Sequence, residues 1–215
     1  MSRERYPQHS STIPSQPADL PKEAIPALAH LDSRTYLRHR GLSDDEIESY
    51  QLHYCAGGEW RRRVIIPFYR GDGTLLAFQG RHLDDEEPRY RTEGARPIFV
   101  PYTWHEGTLT WEWKESPYFC VVEGPFDTFS VQRICPAVAI LGDKPSDAQL
   151  QSILAIVHEQ SIPEVTIWLD KGAETERFSL QLRLQPYVRT RVIFSQFKDP
   201  GECTAQQIRS VLDAL

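Results

Sequence analysis

Val121-Val122-Glu123-Gly124-Pro125-Phe126-Asp127 is an apolar strand that runs straight into two acids. A second apolar run, Val165-Thr166-Ile167-Trp168-Leu169, ends in Asp170 in the same way. Both runs are short, rich in β-branched or aromatic residues and followed by turn residues, the pattern of a buried parallel strand. In an open α/β sheet the carboxyl ends of parallel strands face one shared crevice. Two strands that each deliver a carboxylate to that edge predict an acidic, oxygen-lined site. Such a site suits Mg²⁺, a hard cation held by one or two carboxylates together with substrate phosphates. Taken alone, Asp127 also reads as a helix cap after a βα turn, accepting backbone N–H groups.

The flanking sequence supports a doubly wound sheet. Residues 129–133 read as helix and 137–141 as a short strand. Ser146 caps a helix over 147–160, with Leu150, Ile153, Leu154 and Val157 on one face. Phe178, Leu180, Leu182 and Leu184 fit a helix ending near Pro186, residues 188–194 read as a strand, and Thr204 starts a final helix that buries Ile208, Val211 and Leu212. Strands alternating with helices at this spacing predict an α/β fold with a parallel sheet. The turn Lys198-Asp199-Pro200-Gly201-Glu202 follows a strand end and reaches the same edge as Asp170. There Asp199 adds negative charge and Lys198 meets a phosphate; the alternative is an ordinary strand-to-helix turn.

The N-terminal half has a different texture. Ser43 followed by Glu46 is a capping box, and Arg70-Gly71-Asp72-Gly73 is a hairpin turn between two apolar runs. Arg61, Arg62, Arg63, Arg70, Arg81, Arg89, Arg91 and Arg96 lie close together, interleaved with Trp60, Phe68, Tyr69 and Tyr90. Arginine forks meet phosphate oxygens bidentately and aromatic rings stack on bases, so the group suits nucleotide or single-stranded nucleic acid. The acids Asp84, Asp85, Glu86 and Glu87 offer the other reading, arginines paired on a solvated surface.

These residues carry a family resemblance. Glu123, Gly124 and Asp127 match the Glu-Gly-x-x-Asp element of the Toprim domain, the metal-binding module of bacterial-type primases, topoisomerases and some nucleases. Asp170 matches the first acid of that family's Asp-x-Asp element, but Gly172 stands where the second belongs, with Glu174 two residues on as a substitute. The 198–202 turn resembles the Lys-Asp-Pro-Gly-Asp turn of the primase branch, with Glu202 for the last acid. Arg40-Gly41-Leu42-Ser43, Phe78-Gln79-Gly80-Arg81 and Pro88-Arg89-Tyr90 resemble segments of the small lobe of the DnaG-like primase core, so the resemblance covers roughly residues 30 to 215.

The resemblance implies an α+β N-terminal lobe over 29–115 and a Toprim-type, Rossmann-like parallel sheet over 116–215; the Pro-rich, polar composition before them predicts a disordered tail over 1–28. The resemblance also implies a DNA-dependent primase core that makes RNA primers on single-stranded DNA by metal-assisted nucleotidyl transfer. Glu123, Asp127 and Asp170 would be catalytic and, with Asp199, hold Mg²⁺ or Mn²⁺, with Glu123 the general base; Arg81, Arg89, Tyr90 and Lys198 would bind nucleoside triphosphate, and Arg61, Arg62 and Arg63 the template. A stand-alone core of phage or mobile-element type is expected, with helicase or zinc-domain partners on separate chains. The alternative implied by Gly172 is a degenerate Toprim protein that binds single-stranded DNA or a replisome partner without catalysis.

Composition sets bounds on these readings. A net charge of −6 argues against non-specific coating of nucleic acid, so any contact must use a local basic patch. No apolar run approaches the ~20 residues that cross a bilayer, and no secretory signal is visible, so a cytoplasmic protein is expected. The 4 cysteines include no Cys-x-x-Cys pair and read as reduced packing residues. The aromatic stretch from Tyr102 to Trp113 reads as packing between the lobes.

Overall fold

A computed structural model of the chain describes residues 17 to 214 apart from 85 and 143. Asp85 and the first sixteen residues of the expected tail therefore lie outside the described residues. The first half builds a five-stranded antiparallel sheet in sequential order from β1 (Ile25–Pro26), β2 (His53–Cys55), β3 (Arg63–Tyr69), β4 (Leu75–His82) and β5 (Tyr90–Gly94). Helices α1 (Leu31–His39) and α2 (Asp44–Ser49) sit between β1 and β2. The predicted capping box starts α2, where Ser43 Oγ accepts from Glu46 N at 3.2 Å and Glu46 Oε2 accepts from Ser43 N at 2.7 Å. A hairpin of β6 (Thr103–His105) and β7 (Thr108–Thr110) leads into the second half.

The second half is a four-stranded parallel sheet of β8 (Cys120–Val122), β9 (Ala137–Ala139), β10 (Glu164–Trp168) and β11 (Arg189–Val192), in the order β11-β10-β8-β9. Its helices are α3 (Pro125–Val131), α4 (Asp147–Glu159), α5 (Glu174–Leu184) and α6 (Ala205–Asp213). From β8 the chain first steps outward to β9 and then crosses back to β10 on the other side. The order reverses there, and the ends of β8 and β10 become the switch point at which open α/β sheets form their ligand crevice.

Strand alternation divides the core into two layers. On one face of the parallel sheet Cys120, Val122 and Trp168 join Leu37, Ile47, Val64, Ile66 and Phe68 of the first lobe and Phe126, Phe129, Ile208 and Leu212 of the second. On the other, Val121, Val165 and Ile167 pack with Leu150, Ile153, Leu154, Leu180 and Leu184. Trp111 and Trp113 pack against this second layer, with Trp113 stacked on Phe119 at 5.9 Å. The lobes are also stitched along an edge, since Phe99 exchanges backbone hydrogen bonds of 2.7 and 3.0 Å with Ala139 and covers the outer side of β9.

Three expectations need correction. The tail does not extend to residue 28: Ala18 N donates to Leu75 O at 2.9 Å, β1 pairs with β2 and Ala27 is fully buried. The chain is ordered there because Ala27 joins the first core layer and Leu20 and Ala24 pack beside Trp60 and Phe78. The strand expected over 137–141 stops at Ala139, as Leu141 takes φ 59° and its N–H turns to Glu123 O. The strand expected over 188–194 pairs only to Val192, leaving Phe194 62% exposed beyond it. Among the described residues no helix is long and apolar enough to cross a membrane.

Phe129 joins both lobes, with ring centroids 4.4 Å from Tyr50, 5.5 Å from Phe99 and 5.9 Å from Phe126. Phe129→Ala is expected to cost about 3–5 kcal/mol, the usual range for emptying a buried aromatic site. Urea denaturation should move to a lower midpoint as one transition, and two separate transitions would show that the lobes fold independently.

Candidate active site

The site is built where β8 ends. Glu123 leaves the strand half-buried, and its carbonyl accepts from Leu141 N at 2.9 Å and Gly142 N at 3.3 Å, fixing the loop after β9 beside it. Gly124 is the N-cap of α3 and Pro125 its first residue, where a missing N–H costs nothing. Asp127 then stands at the third helical position, 8% exposed. Its Oδ2 accepts from Gly124 N at 2.8 Å and its Oδ1 from Gly201 N at 2.9 Å. It therefore caps the helix from the third position, whereas the N-cap that the sequence suggested for it is Gly124, and it is also a strut to a turn 74 residues away. Gly201 permits this approach, because a Cβ there would lie 2.8 Å from Asp127 Oδ1.

β10 delivers Asp170 to the same edge. Its turn is gripped from behind by Arg177 of α5, 4% exposed, whose guanidinium donates to Leu169 O at 3.0 Å and to Asp170 O. Asp170 Oδ1 is buried without a hydrogen-bond partner. Lys171 N donates to Lys198 O at 2.8 Å, which sets the 198–202 turn alongside. There Asp199 caps a short 3₁₀ turn by accepting from Glu202 N at 3.0 Å, and Lys198 Nζ lies 3.7 Å from Glu202.

These elements close a crevice of about 270 Å³ lined by the acids Glu123, Asp127, Asp170, Asp199 and Glu202 and the cations Arg40, Arg81, Arg89 and Lys198. The acids come from the parallel sheet, whereas Arg40 follows α1 and Arg81 and Arg89 flank the β4–β5 pair. Arg81 Nε donates to Tyr36 Oη at 3.0 Å and its guanidinium sits 5.0 Å from the Tyr90 ring centroid. Burial, followed by repulsion from Glu123 and Asp199, pushes the Asp170 carboxyl up to about 7. Asp127 rises well above the ordinary carboxylate range, first through burial and then through Asp170 and Asp199. Burial and Glu202 raise Asp199 as well. Such a cluster gains when a cation enters.

All eight of the expected metal and nucleotide residues, Glu123, Asp127, Asp170, Asp199, Arg81, Arg89, Tyr90 and Lys198, line this crevice. The expected template residues do not. Arg63 is 7% exposed, and its guanidinium is spent on the carbonyls of Gly80, Pro88 and Arg89, where it ties β3 to β4 and to the segment that leads into β5. Arg62 pairs with Asp84 at 2.7 Å and Asp32 at 3.4 Å, and only Arg61 of the three is exposed. Glu174 does not replace an acid at 172 either. It folds back to accept from Gly172 N at 3.3 Å, and Gly172 takes φ +100°, a conformation that would strain an aspartate.

Among the crevice residues that the sequence did not single out are Arg40 and Gln79. Arg40, whose guanidinium lies 5.1 Å from the Phe126 ring centroid, belongs to the noted Arg-Gly-Leu-Ser segment, but nothing in its spacing aims it across the lobes. Gln79 shares the strand face of Arg81, and that period of two was the available signal. Its Oε1 is buried without a partner, a cost of about 1–3 kcal/mol.

Among the described residues no three His, Cys, Asp or Glu side chains form a ready metal-holding group. That is compatible with a hard cation held partly by ligand phosphates, since Mg²⁺ seldom uses an all-protein cage. The unpartnered Asp170 oxygen and the mutual repulsion around it fit such an ion.

No protein-family model matches the chain. The DNA primase of Pseudomonas putida is 30% identical over 107 residues, covering 46% of this chain and 16% of the relative. That of Neisseria meningitidis serogroup A is 26% identical over 147 residues, covering 51% and 25%. The chain thus spans about a sixth to a quarter of the length of these curated relatives. Among solved structures, the zinc-binding and RNA polymerase domains of Aquifex aeolicus primase superpose with a TM-score of 0.67 at 18% identity, covering 87% of this chain and 56% of that one. The Escherichia coli primase catalytic core gives 0.66 at 18%, covering 88% and 74%. A DnaG primase catalytic domain bound to single-stranded DNA gives 0.66 at 19%, covering 86% and 70%. The fold is that of a DnaG-type primase catalytic core.

Two outcomes follow from this geometry. In the folded chain Asp170 keeps its proton to about pH 7, whereas an unfolded aspartate loses it near pH 4. Between those values the folded state binds more protons, so its stability falls as pH rises. In chelator, the thermal midpoint should drop from pH 5 to pH 8, and Asp170→Asn should flatten that slope; an unchanged slope would place the titration elsewhere. Gly201→Ala should destabilise by about 1–3 kcal/mol, as overpacking does, measured by denaturant titration.

Proposed function

We propose that this chain is the nucleotidyl-transfer core of a DNA primase, joining ribonucleotides on a single-stranded DNA template with Mg²⁺ or Mn²⁺, and that its second half is a Toprim domain. The observation that carries this reading is the crevice in which strand-end acids face Arg40, Arg81, Arg89 and Lys198 across the two lobes. Charge of both signs in one partly dry site suits a ligand that brings phosphates and a metal together. The likeness to catalytic cores, one of them bound to single-stranded DNA, supports the same assignment.

In this reading Glu123, Asp170 and Asp199 hold the divalent cation together with the phosphates. When bound, the cation neutralises charge developing during phosphoryl transfer. Arg81, Arg89, Arg40 and Lys198 orient the triphosphate, and Tyr90, stacked beside Arg81, borders the nucleotide. Asp127 holds the Gly124 and Gly201 turns, and with them the neighbouring Glu123 and Asp199, at a fixed separation. Glu123 would take the proton of the attacking 3′-hydroxyl. The partition proposed for the chain is an α+β lobe up to about residue 115 and the Toprim domain beyond it.

Gly172 favours a second reading, a protein that binds single-stranded DNA without catalysis, because the turn after β10 offers no further acid. The two readings part in one assay. Incubated with single-stranded DNA, ribonucleotides and Mg²⁺ or Mn²⁺, the chain should make short RNA, and Asp170→Ala should lower the rate on the order of a hundred-fold or more, the loss typical of removing one electrostatic partner of the transition state. Its circular dichroism should stay unchanged. DNA binding without synthesis under every metal condition would replace the enzyme with the binding protein.

A further inference from the structure

We infer that Gln79 reads the sugar of the incoming nucleotide by hydrogen-bonding its 2′-hydroxyl, an inference that rests on the nucleotidyl-transfer reading above. Gln79 stands in β4, lines the crevice and is 6% exposed. Its Nε2 donates to Oγ1 of Thr92, directly opposite on β5, at 3.2 Å. Its Oε1 is buried with no partner. A leucine or methionine would fill the same volume without an orphaned polar atom, so the packing alone gives no reason for an amide here.

Its position says what the amide is for. Residues two apart on a strand share a face, which puts Gln79 one repeat, about 7 Å, from Arg81. Gly80 between them faces the other way, its missing side chain replaced by the Trp60 ring. A nucleotide whose phosphates meet Arg81 and Arg89 carries its ribose about that far away. Among the described residues Gln79 and Tyr90 are the neutral polar side chains of the crevice wall, and its other polar side chains are charged. Charges serve the phosphates and the cation, and a neutral amide suits the uncharged part of the ligand.

Template-directed transfer must accept every base, so an amide that read a base edge would bias the product. The sugar hydroxyls are common to all ribonucleotides, and the 3′-hydroxyl has to stay available for the next bond. The 2′-hydroxyl remains. A hydroxyl both donates and accepts, so it completes the amide whichever way round its oxygen and nitrogen lie. The last torsion of glutamine is broad, so the amide turns toward the crevice at little cost.

The test is equilibrium binding of ATP and of 2′-deoxyATP, each with Mg²⁺, to the full chain and to Gln79→Leu and Gln79→Met. One hydrogen bond should give the unsubstituted protein a roughly three- to ten-fold preference for ATP. Both substitutions should lower ATP to the level of 2′-deoxyATP and leave 2′-deoxyATP where it was, which also reports an intact fold. A preference that survives substitution overturns the inference. So does an equal loss for both ligands, which would make Gln79 only part of the wall. Equal binding of the two by the unsubstituted protein overturns the sugar assignment alone, whereas binding of neither overturns the nucleotide reading with it.

Discussion

The carboxylate of Asp127 accepts one backbone N–H from each of two turns, Gly124 at the end of β8 and Gly201 after β11, and so ties together the turns that carry Glu123 and Asp199. A buried carboxylate is costly when charged, and here burial together with Asp170 and Asp199 pushes its titration upward. The two amides offset part of that cost in the only way available, since both turns have left their strands and their N–H groups have no ladder to join. The glycines follow from the same constraint. At Gly201 a side chain would occupy the space that the Asp127 oxygen needs.

Around this strut the site holds charge that does not help the fold. Asp170 carries a buried oxygen without a partner, Gln79 another, and the neighbouring acids repel one another. Buried polar groups in native proteins are nearly always satisfied, so these exceptions along one crevice are where the proposed ligand would complete the structure. Arg177 works in the opposite sense. It neutralises the carbonyls behind Asp170 and holds the turn still while the carboxylate in front remains unsaturated.

The packing of the two lobes is part of the same design. The acids belong to the parallel sheet, and Arg40, Arg81 and Arg89 belong to the antiparallel half, so neither lobe contains a complete site. Phe129 and Phe99 fill the junction, and Arg133 of the second half reaches Glu46 and the carbonyl of Gly41. Glu46 thereby serves twice, as the return half of the α2 capping box and as the partner of Arg133. A shift of one lobe against the other would separate the cations from the acids before it disrupted either sheet.

The sequence by itself determined the parallel strands that end in Glu123 and Asp170, the caps at Ser43, Ser146 and Thr204, and the arrival of Asp199 at the same edge. These features are legible because strand period, cap chemistry and the direction of parallel strands are local rules. Only the tertiary structure decided which arginines face the crevice. Arg61, Arg62, Arg63, Arg81 and Arg89 look alike in the chain, yet Arg63 is buried on three carbonyls and Arg62 is held by two aspartates, while Arg81 and Arg89 line the crevice. Arg40 and Gln79 joined the site for the same reason. A long side chain is committed by the nearest carboxylate or carbonyl that folding brings to it, and those neighbours come from elements far away in sequence.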